Sequence, residues 1–238
     1  MKLADFSVLT FDCYGTLIDW ETGLLAALAP LRGRAPVART DDAILADFAQ
    51  LESRQQAETP AMPYAEVLAA VHARLAVAWG VPDDAAADAR FGASVGDWPA
   101  FPDTADALRY LKQHFRLVIL SNVDRASFAR SLPRLGVALD AVHTAQDIGS
   151  YKPDPRNFTY LLDRLAEWGV AKPQVLHVAQ SLFHDHVPAN AIGLASAWID
   201  RRHAVGGGGA TAPTDGAVRY DFRFPSMAAL AEAHRSGG

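Results

Sequence analysis

Apolar positions fall into two patterns along the chain. Short, nearly continuous runs occur at 7–11 (SVLTF), 116–122 (RLVILSN), 175–179 (VLHVA) and 195–200 (ASAWID). Runs of this length, rich in branched residues and bounded by polar ones, predict strands buried on both faces. Between the later runs apolar residues recur at helical spacing. Ala107, Leu108 and Leu111 do so within 104–114, and Leu161, Leu162 and Leu165 within 158–168. Strands alternating with helices predict an α/β fold around a parallel sheet.

The interval between the first two runs is different. From about residue 19 to 97 every pattern is helical, as in DDAILADFAQLESRQQ and YAEVLAAVHARLAVAWG, with Pro30, Pro36, Pro60, Pro63 and Pro82 as punctuation. Such an interval is too long for a simple crossover. It predicts a helical domain inserted after the first strand, with residues 1–18 and 98–238 forming the core and 19–97 a cap. The GGGG at 206–209 lacks the Lys-Ser/Thr ending and the following helix of a phosphate loop, and reads as a flexible connection.

Composition narrows the function classes. The chain has 238 residues, half of them hydrophobic, enough for a large core. Its net charge of −5 comes from interspersed acids and bases with no basic block, which argues against nucleic-acid binding. Cys13 is the single cysteine, so no intramolecular disulfide forms, as suits a reducing cytoplasm. The opening MKLADFSVLTF lacks a clear cleavage region and reads as the start of the fold. No apolar run approaches the roughly 20 residues that span a bilayer.

Ligands of open α/β sheets bind beyond the carboxyl ends of the strands. The first predicted strand ends at Asp12, the second at Ser121 and Asn122, and the third leads into QSLFHDH with Asp185. SYKPDPRNF supplies Lys152 just before a helix. Each alone reads as a cap or a turn. Together, in this order and at corresponding strand ends, they mark a site. Gly15 permits the tight turn that exposes a carboxylate at Asp12. A carboxylate is a weak nucleophile that must be oriented, and a nearby ammonium keeps it ionised despite burial. Cys13 is the rival nucleophile. Strand alternation turns it away from a neighbour that faces the site, and no partner histidine is evident.

FDCYGTLID resembles the first motif of the haloacid dehalogenase superfamily, LSN the second, YKPDP the third, and HVAQSLFHD followed by AIGL the fourth. The resemblance covers nearly the whole chain. It implies a Rossmann-like core with a helical cap, and Asp12 as nucleophile. It further implies that Thr16 hydrogen-bonds near Asp12, that Ser121 holds substrate oxygens with Asn122 beside it, and that Lys152 offsets the charge on Asp12.

Within the superfamily two positions decide the subclass. Mg²⁺-dependent phosphatases carry Asp-x-Asp in the first motif, the second Asp acting as general acid. They carry Gly-Asp-Ser-x-x-x-Asp in the fourth. Here Tyr14 and Gln180 stand at two of those acidic positions, while Asp185 is kept. Fewer carboxylates weaken a Mg²⁺ site, and without the general acid a leaving alcohol lacks its proton. A halide leaves unprotonated. The closest resemblance is to the L-2-haloacid dehalogenases, whose first motif reads Asp-x-Tyr-Gly-Thr. That resemblance implies hydrolysis of small 2-haloalkanoic acids through an ester on Asp12, without a cofactor, with Lys152 and Asp185 positioning nucleophile and water. His184 and His186 flank Asp185 and are candidates to assist, though each alone reads as structural or exposed.

The chain also departs from that branch. Its early cap arginine, which captures halide or carboxylate, aligns with Asp47. Arg54, two helical turns on, is the expected substitute, and Arg39 a weaker one. The tyrosine six residues after the lysine is Phe158, and Gln180 and Leu182 replace the Ser and Asn of the fourth motif. Trp98, Tyr14 and Phe183 are expected to wall a small pocket, with Gln180 facing substrate. A homodimer through the cap is implied by resemblance alone. Two alternatives stay open: a Mg²⁺-dependent phosphatase on a small ester, and a non-catalytic relative that binds a small anion.

Overall fold

A computed structural model of the chain describes residues 1–204 and 216–237, so the GGGG at 206–209 lies outside the described residues. Six parallel strands lie in the order β3-β2-β1-β4-β5-β6. They are β1 Val8–Phe11, β2 Arg116–Ser121, β3 Ala141–Thr144, β4 Val175–Ala179, β5 Ala195–Ile199 and β6 Phe222–Phe224. Every residue of β1 and β4 is buried, as continuous apolar runs require of a sheet covered on both faces. Phe11 is level with Ile119 of β2 and Val178 of β4. Asp12, Ser121 and Gln180 therefore leave the three central strands at one edge of the sheet.

Two strands differ from the expectation. β3 is half-buried and carries His143, and β6 is a three-residue Phe-Arg-Phe with its arginine exposed. Both are edge strands paired on one side only, so neither needs the apolar run that reveals a central strand. Asn122, counted with the second strand, falls just beyond β2.

Four helices fill the interval after β1: α1 Trp20–Arg34, α2 Asp41–Glu58, α3 Tyr64–Ala78 and α4 Ala85–Ala93. Asp19, Thr40 and Asp84 cap the first, second and fourth through their side chains, each satisfying an otherwise orphaned backbone N–H. On α2, the four-residue spacing of Ile44, Phe48, Glu52 and Gln56 places them on one buried stripe, so an acid shares the apolar face. The remaining helices, α5 Thr104–Leu111, α6 Arg125–Leu135, α7 Ala145–Ile148, α8 Arg156–Ala166, α9 Val187–Ala191 and α10 Met227–Arg235, belong to the sheet layers. No described helix is long and apolar enough to cross a membrane.

Specific contacts tie the four-helix insert to the sheet. The outgoing and returning chains pair through Asp19 N–H to Pro99 O at 2.7 Å. Asp124 caps α6 through Ser127 N–H and also accepts from Ala65 N–H of α3 at 3.2 Å. The Tyr151 hydroxyl donates to Met62 O. Trp98, 2 % exposed, packs on Gly23 of α1, where an added Cβ would lie 2.3 Å from the indole Cγ. Trp98 is thus a wedge between insert and core, not a pocket wall as expected.

Gly23→Ala should therefore destabilise the fold by about 1–3 kcal/mol through overpacking, despite alanine's better helix propensity. Urea denaturation would read this as a lower midpoint; an unchanged or higher midpoint would contradict the packing described.

Candidate active site

Asp12 is the first residue past β1, and its N–H still donates to Val178 O at 3.1 Å, continuing the ladder. The chain then turns at Gly15, whose φ of +97° lies in a region L-residues avoid. A Cβ there would also lie 3.0 Å from Trp20 Nε1 and 3.1 Å from Gln180 Oε1. The turn returns Thr16 to the nucleophile candidate. Thr16 Oγ1 donates to Asp12 Oδ2 at 2.8 Å and accepts from Gln180 N–H at 2.9 Å. Arg201, just beyond β5, fixes the same turn, donating from Nε and Nη2 to Thr16 O at 3.2 and 2.8 Å while Nη1 pairs with Asp103.

The other Asp12 oxygen faces Lys152. This ammonium is 1 % exposed and spends its three donors on Asp12 Oδ1 at 2.9 Å, Asp185 Oδ1 at 2.6 Å and Leu120 O at 3.0 Å. Asn122 holds the lysine's backbone from both sides. Its Nδ2 donates to Lys152 O at 3.0 Å, and its Oδ1 accepts from Lys152 N–H at 2.7 Å. Asn122 is therefore a positioning residue for Lys152.

One cation between two buried carboxylates sets the electrostatics. Burial would lower the Lys152 pKa, but Asp12 and Asp185 together raise it above the ordinary lysine value. Burial also works against ionised Asp185, yet Lys152 and His177 more than offset it and hold this carboxyl well below its usual range. For Asp12 burial is the largest influence and raises the pKa; Lys152 opposes that and Asp185 adds to it.

His177 was not singled out in the sequence. It lies in the middle of β4, fully buried, and its Nε2 donates to Asp185 Oδ1 at 2.9 Å while Nδ1 accepts from Thr10 Oγ1 at 2.9 Å. The available signal was a polar residue inside an otherwise apolar run, which must be paired when buried.

Asp12, Tyr14, Ser121, Asn122, Lys152, Gln180 and Asp185 line one cavity of about 40 Å³, closed by Trp20, Glu52, Gln56 and Tyr64 of the insert. Ser121 Oγ and Asp185 Oδ2 are buried there without a partner among the described residues. Unpaired buried polar atoms in a cavity are ready to meet a ligand or water. His184 also lines the cavity. Burial pushes its imidazole down to about 4, so it is neutral near pH 7.

Other candidates are elsewhere. Arg54 points to solvent and pairs with Glu58 at 2.7 Å, because it is off the buried stripe of α2. Arg39 lies against Asp47 and Trp79. Phe183 lines a separate, adjoining cavity of about 440 Å³ that shares Gln56, Lys152 and His184 with the first. His186 is buried between Ser196 Oγ and Ala179 O, a structural role. Cys13 is fully buried away from the cavity lining, and burial pushes its thiol well up, so it supplies no thiolate. Tyr14 turns its hydroxyl to Ser131 Oγ at 2.8 Å, and burial raises its pKa well above the phenolic range. Glu52, buried in the cavity wall, is the second residue the sequence reading missed. An acid at an apolar-stripe position was the signal.

A Mg²⁺ site fits this donor set poorly. The Asp12 and Asp185 Oδ1 atoms already share an ammonium, and the remaining fourth-motif position is the amide Gln180. Among the described residues no group of three or more His, Cys, Asp or Glu side chains is arranged to hold a metal.

Lys152→Met should leave two buried carboxylates without their cation and destabilise the fold by about 3–5 kcal/mol near neutral pH. Their folded-state pKa values would then lie above the unfolded ones. The deficit is full at high pH and shrinks as falling pH protonates them. Urea midpoints at several pH values check the sign; a deficit that grows on acidification would refute it.

Comparison with known proteins agrees with this geometry. A family model of haloacid dehalogenase-like hydrolases matches residues 6–179. An (S)-2-haloacid dehalogenase of Burkholderia cepacia is 28% identical over 199 residues, covering 81% of this chain and 82% of that protein. Among solved structures, the L-2-haloacid dehalogenase of Xanthobacter autotrophicus superposes with a TM-score of 0.78 at 21% identity, over 98% of this chain and 100% of that one. A magnesium-bound HAD-hydrolase of Bacillus subtilis superposes at 0.74 with 18% identity, over 97% and 98%, so the shared fold does not by itself choose the chemistry. With the family model spanning most of the chain and the four motif loops meeting around Asp12, the chain belongs to the haloacid dehalogenase-like hydrolases.

Proposed function

We propose that this hydrolase displaces halide from small 2-haloalkanoic acids, using Asp12 as the nucleophile and no metal. The observation that carries the reading is the Asp12 carboxylate itself. It is bonded by Lys152 and Thr16 in a small cavity, while the residue two positions on is a tyrosine whose hydroxyl is engaged with Ser131. A nucleophile is oriented there, and the position that would protonate an alkoxide holds a phenol bonded elsewhere. The (S)-2-haloacid dehalogenase of Burkholderia cepacia supports the same reading.

In the first step an Asp12 oxygen bonds to C2 as the carbon–halogen pair leaves with the halide. Attack from the side opposite the halide inverts C2. In the second step water adds to the Asp12 carbonyl carbon and the aspartyl C–O bond breaks. The 2-hydroxy acid departs with the original Asp12 oxygen, and Asp12 keeps the oxygen from water. One water proton ends on the product hydroxyl; the other is lost as Asp12 re-ionises beside Lys152. Asp185 Oδ2, which has no partner among the described residues, is the atom suited to orient that water. The cavity volume suits an acid of two or three carbons, since one water needs about 10–15 Å³ by the same kind of measure.

Halide release from 2-chloropropionate should proceed undiminished in EDTA, and Asp12→Asn should abolish it. One turnover in ¹⁸O-water should leave the label on Asp12 and give unlabelled 2-hydroxy acid. Label in the first-turnover product would refute the ester, and Mg²⁺-dependent phosphate release with no halide from any small haloacid would refute the whole reading.

A further inference from the structure

The cavity has an unusual charge balance for a site that takes an anion. Lys152 is its cation, and both Asp12 and Asp185 already claim it. No arginine is among the lining residues. The insert contributes a carboxyl group instead, Glu52, which is 4 % exposed. Its Oε1 accepts from the Tyr64 hydroxyl at 2.6 Å and from Gln56 Nε2 at 3.1 Å, and neither of these bonds uses Oε2.

Two donors on one oxygen mark it as the carbonyl-like atom, so a proton on this group belongs on Oε2. An ionised Glu52 would give the cavity three carboxylates against one ammonium, a costly arrangement in a buried site. Burial pushes the Glu52 carboxyl up to about 7, with the Tyr64 hydrogen bond opposing.

We infer that Glu52 recognises the substrate's carboxylate as a neutral carboxylic acid, donating a hydrogen bond from Oε2. This rests on the haloacid reading and deepens it: the cap contact comes from a neutral donor, complementing Ser121 Oγ on the core side. Such an acid–carboxylate hydrogen bond is charge-assisted and needs no further cation.

The groups that face Glu52 sort by element. Tyr64 comes from α3, Asp12 and Tyr14 from the first turn, Tyr151 and Lys152 from the stretch before α8, and His184 and Asp185 from the segment after β4. Asp124 and Glu66 act on Tyr151 from beyond it. The tyrosines and Lys152 are raised, Asp185 is held low, and His184 is neutral above about 4, so none of these changes charge between pH 6 and 9 by these shifts. Asp12 is raised from the ordinary carboxylate value by its burial. Its ionisation creates the nucleophile and so raises kcat with pH, whereas loss of the Glu52 proton weakens substrate binding with pH. Ionised Asp12 also repels an anionic ligand, so the Glu52 effect is the part of the rise in KM with pH that Glu52→Gln removes.

The test measures kcat and KM for 2-chloropropionate between about pH 5 and about pH 9, beside its neutral amide and beside calorimetric binding of the product, lactate. In the wild type, KM and the lactate Kd should each rise about tenfold per pH unit above about 7, because only the protonated fraction binds. The amide's KM should stay level. Glu52→Gln keeps a neutral donor, and its KM for the acid should be level across the same range.

A level wild-type KM, an equal slope in Glu52→Gln, or no lactate binding would overturn the inference. Should Glu52→Gln not fold, Tyr64→Phe decides instead: it removes the hydrogen bond that lowers the Glu52 pKa and should move the rise in KM to higher pH, and an unmoved rise would overturn the inference. Lactate binding that weakens with pH, in a protein releasing no halide, would sink the haloacid reading and leave the Glu52 contact standing. Halide release with a level KM would do the reverse.

Discussion

One ammonium shared by two buried carboxylates organises this molecule. Lys152 lies between Asp12 and Asp185 with almost no access to water, and no other described cation lines the cavity with it. Neither carboxylate could stay ionised at that depth without it, and the lysine could not stay charged without them. The surrounding structure maintains this triad. Parallel register brings the ends of β1, β2 and β4 level, Asn122 clamps the lysine backbone, and His177 takes a share of Asp185. The site's chemistry follows from the imbalance. Asp185 has two donors on one oxygen and is firmly ionised, while Asp12 is less completely compensated and is the more basic of the two.

Much of this was legible in the sequence because it depends on local rules. Central strands buried on both faces must be continuous apolar runs, so β1, β2, β4 and β5 stood out; β3 and β6, at the edges, carry no such demand. Asp12, Ser121, Lys152 and Asp185 were legible because each follows a strand end or precedes a helix in a recognisable order. What the sequence withheld depends on which way a side chain turns. Arg54 and Glu52 are two residues apart on α2, yet that offset puts one in solvent and the other in the cavity. The insert residue that faces the cavity therefore could not be found by looking for a cation nearby; it required the helical phase fixed by Ile44 and Phe48. Trp98 shows the same limit from the other side, since an aromatic at the return from insert to core fits a pocket wall and a packing wedge equally well until Gly23 is seen beneath it.

The insert contributes to the site by exclusion as well as by contact. Trp20, Glu52, Gln56 and Tyr64 close the cavity over Asp12, and removing water strengthens every electrostatic interaction inside it. The attachments to the core, Asp124 to Ala65, Tyr151 to Met62 and Trp98 on Gly23, fix these four side chains relative to strand ends that belong to a different layer. The site is thus an interface between two layers of one chain, and the residues that define its size are largely not those that define its reaction.

The anchoring of the first turn has a consequence for how the protein comes into being. Asp12 is made before its cation, which follows 140 residues later, and Arg201, which holds Thr16 O, comes 185 residues after that threonine. A partly made chain carries Asp12 as an ordinary hydrated carboxylate, with neither the ammonium nor the clamp that gives it direction. The bonds that orient Asp12 are therefore complete only when the last of the central strands and the turn beyond β5 have joined the sheet.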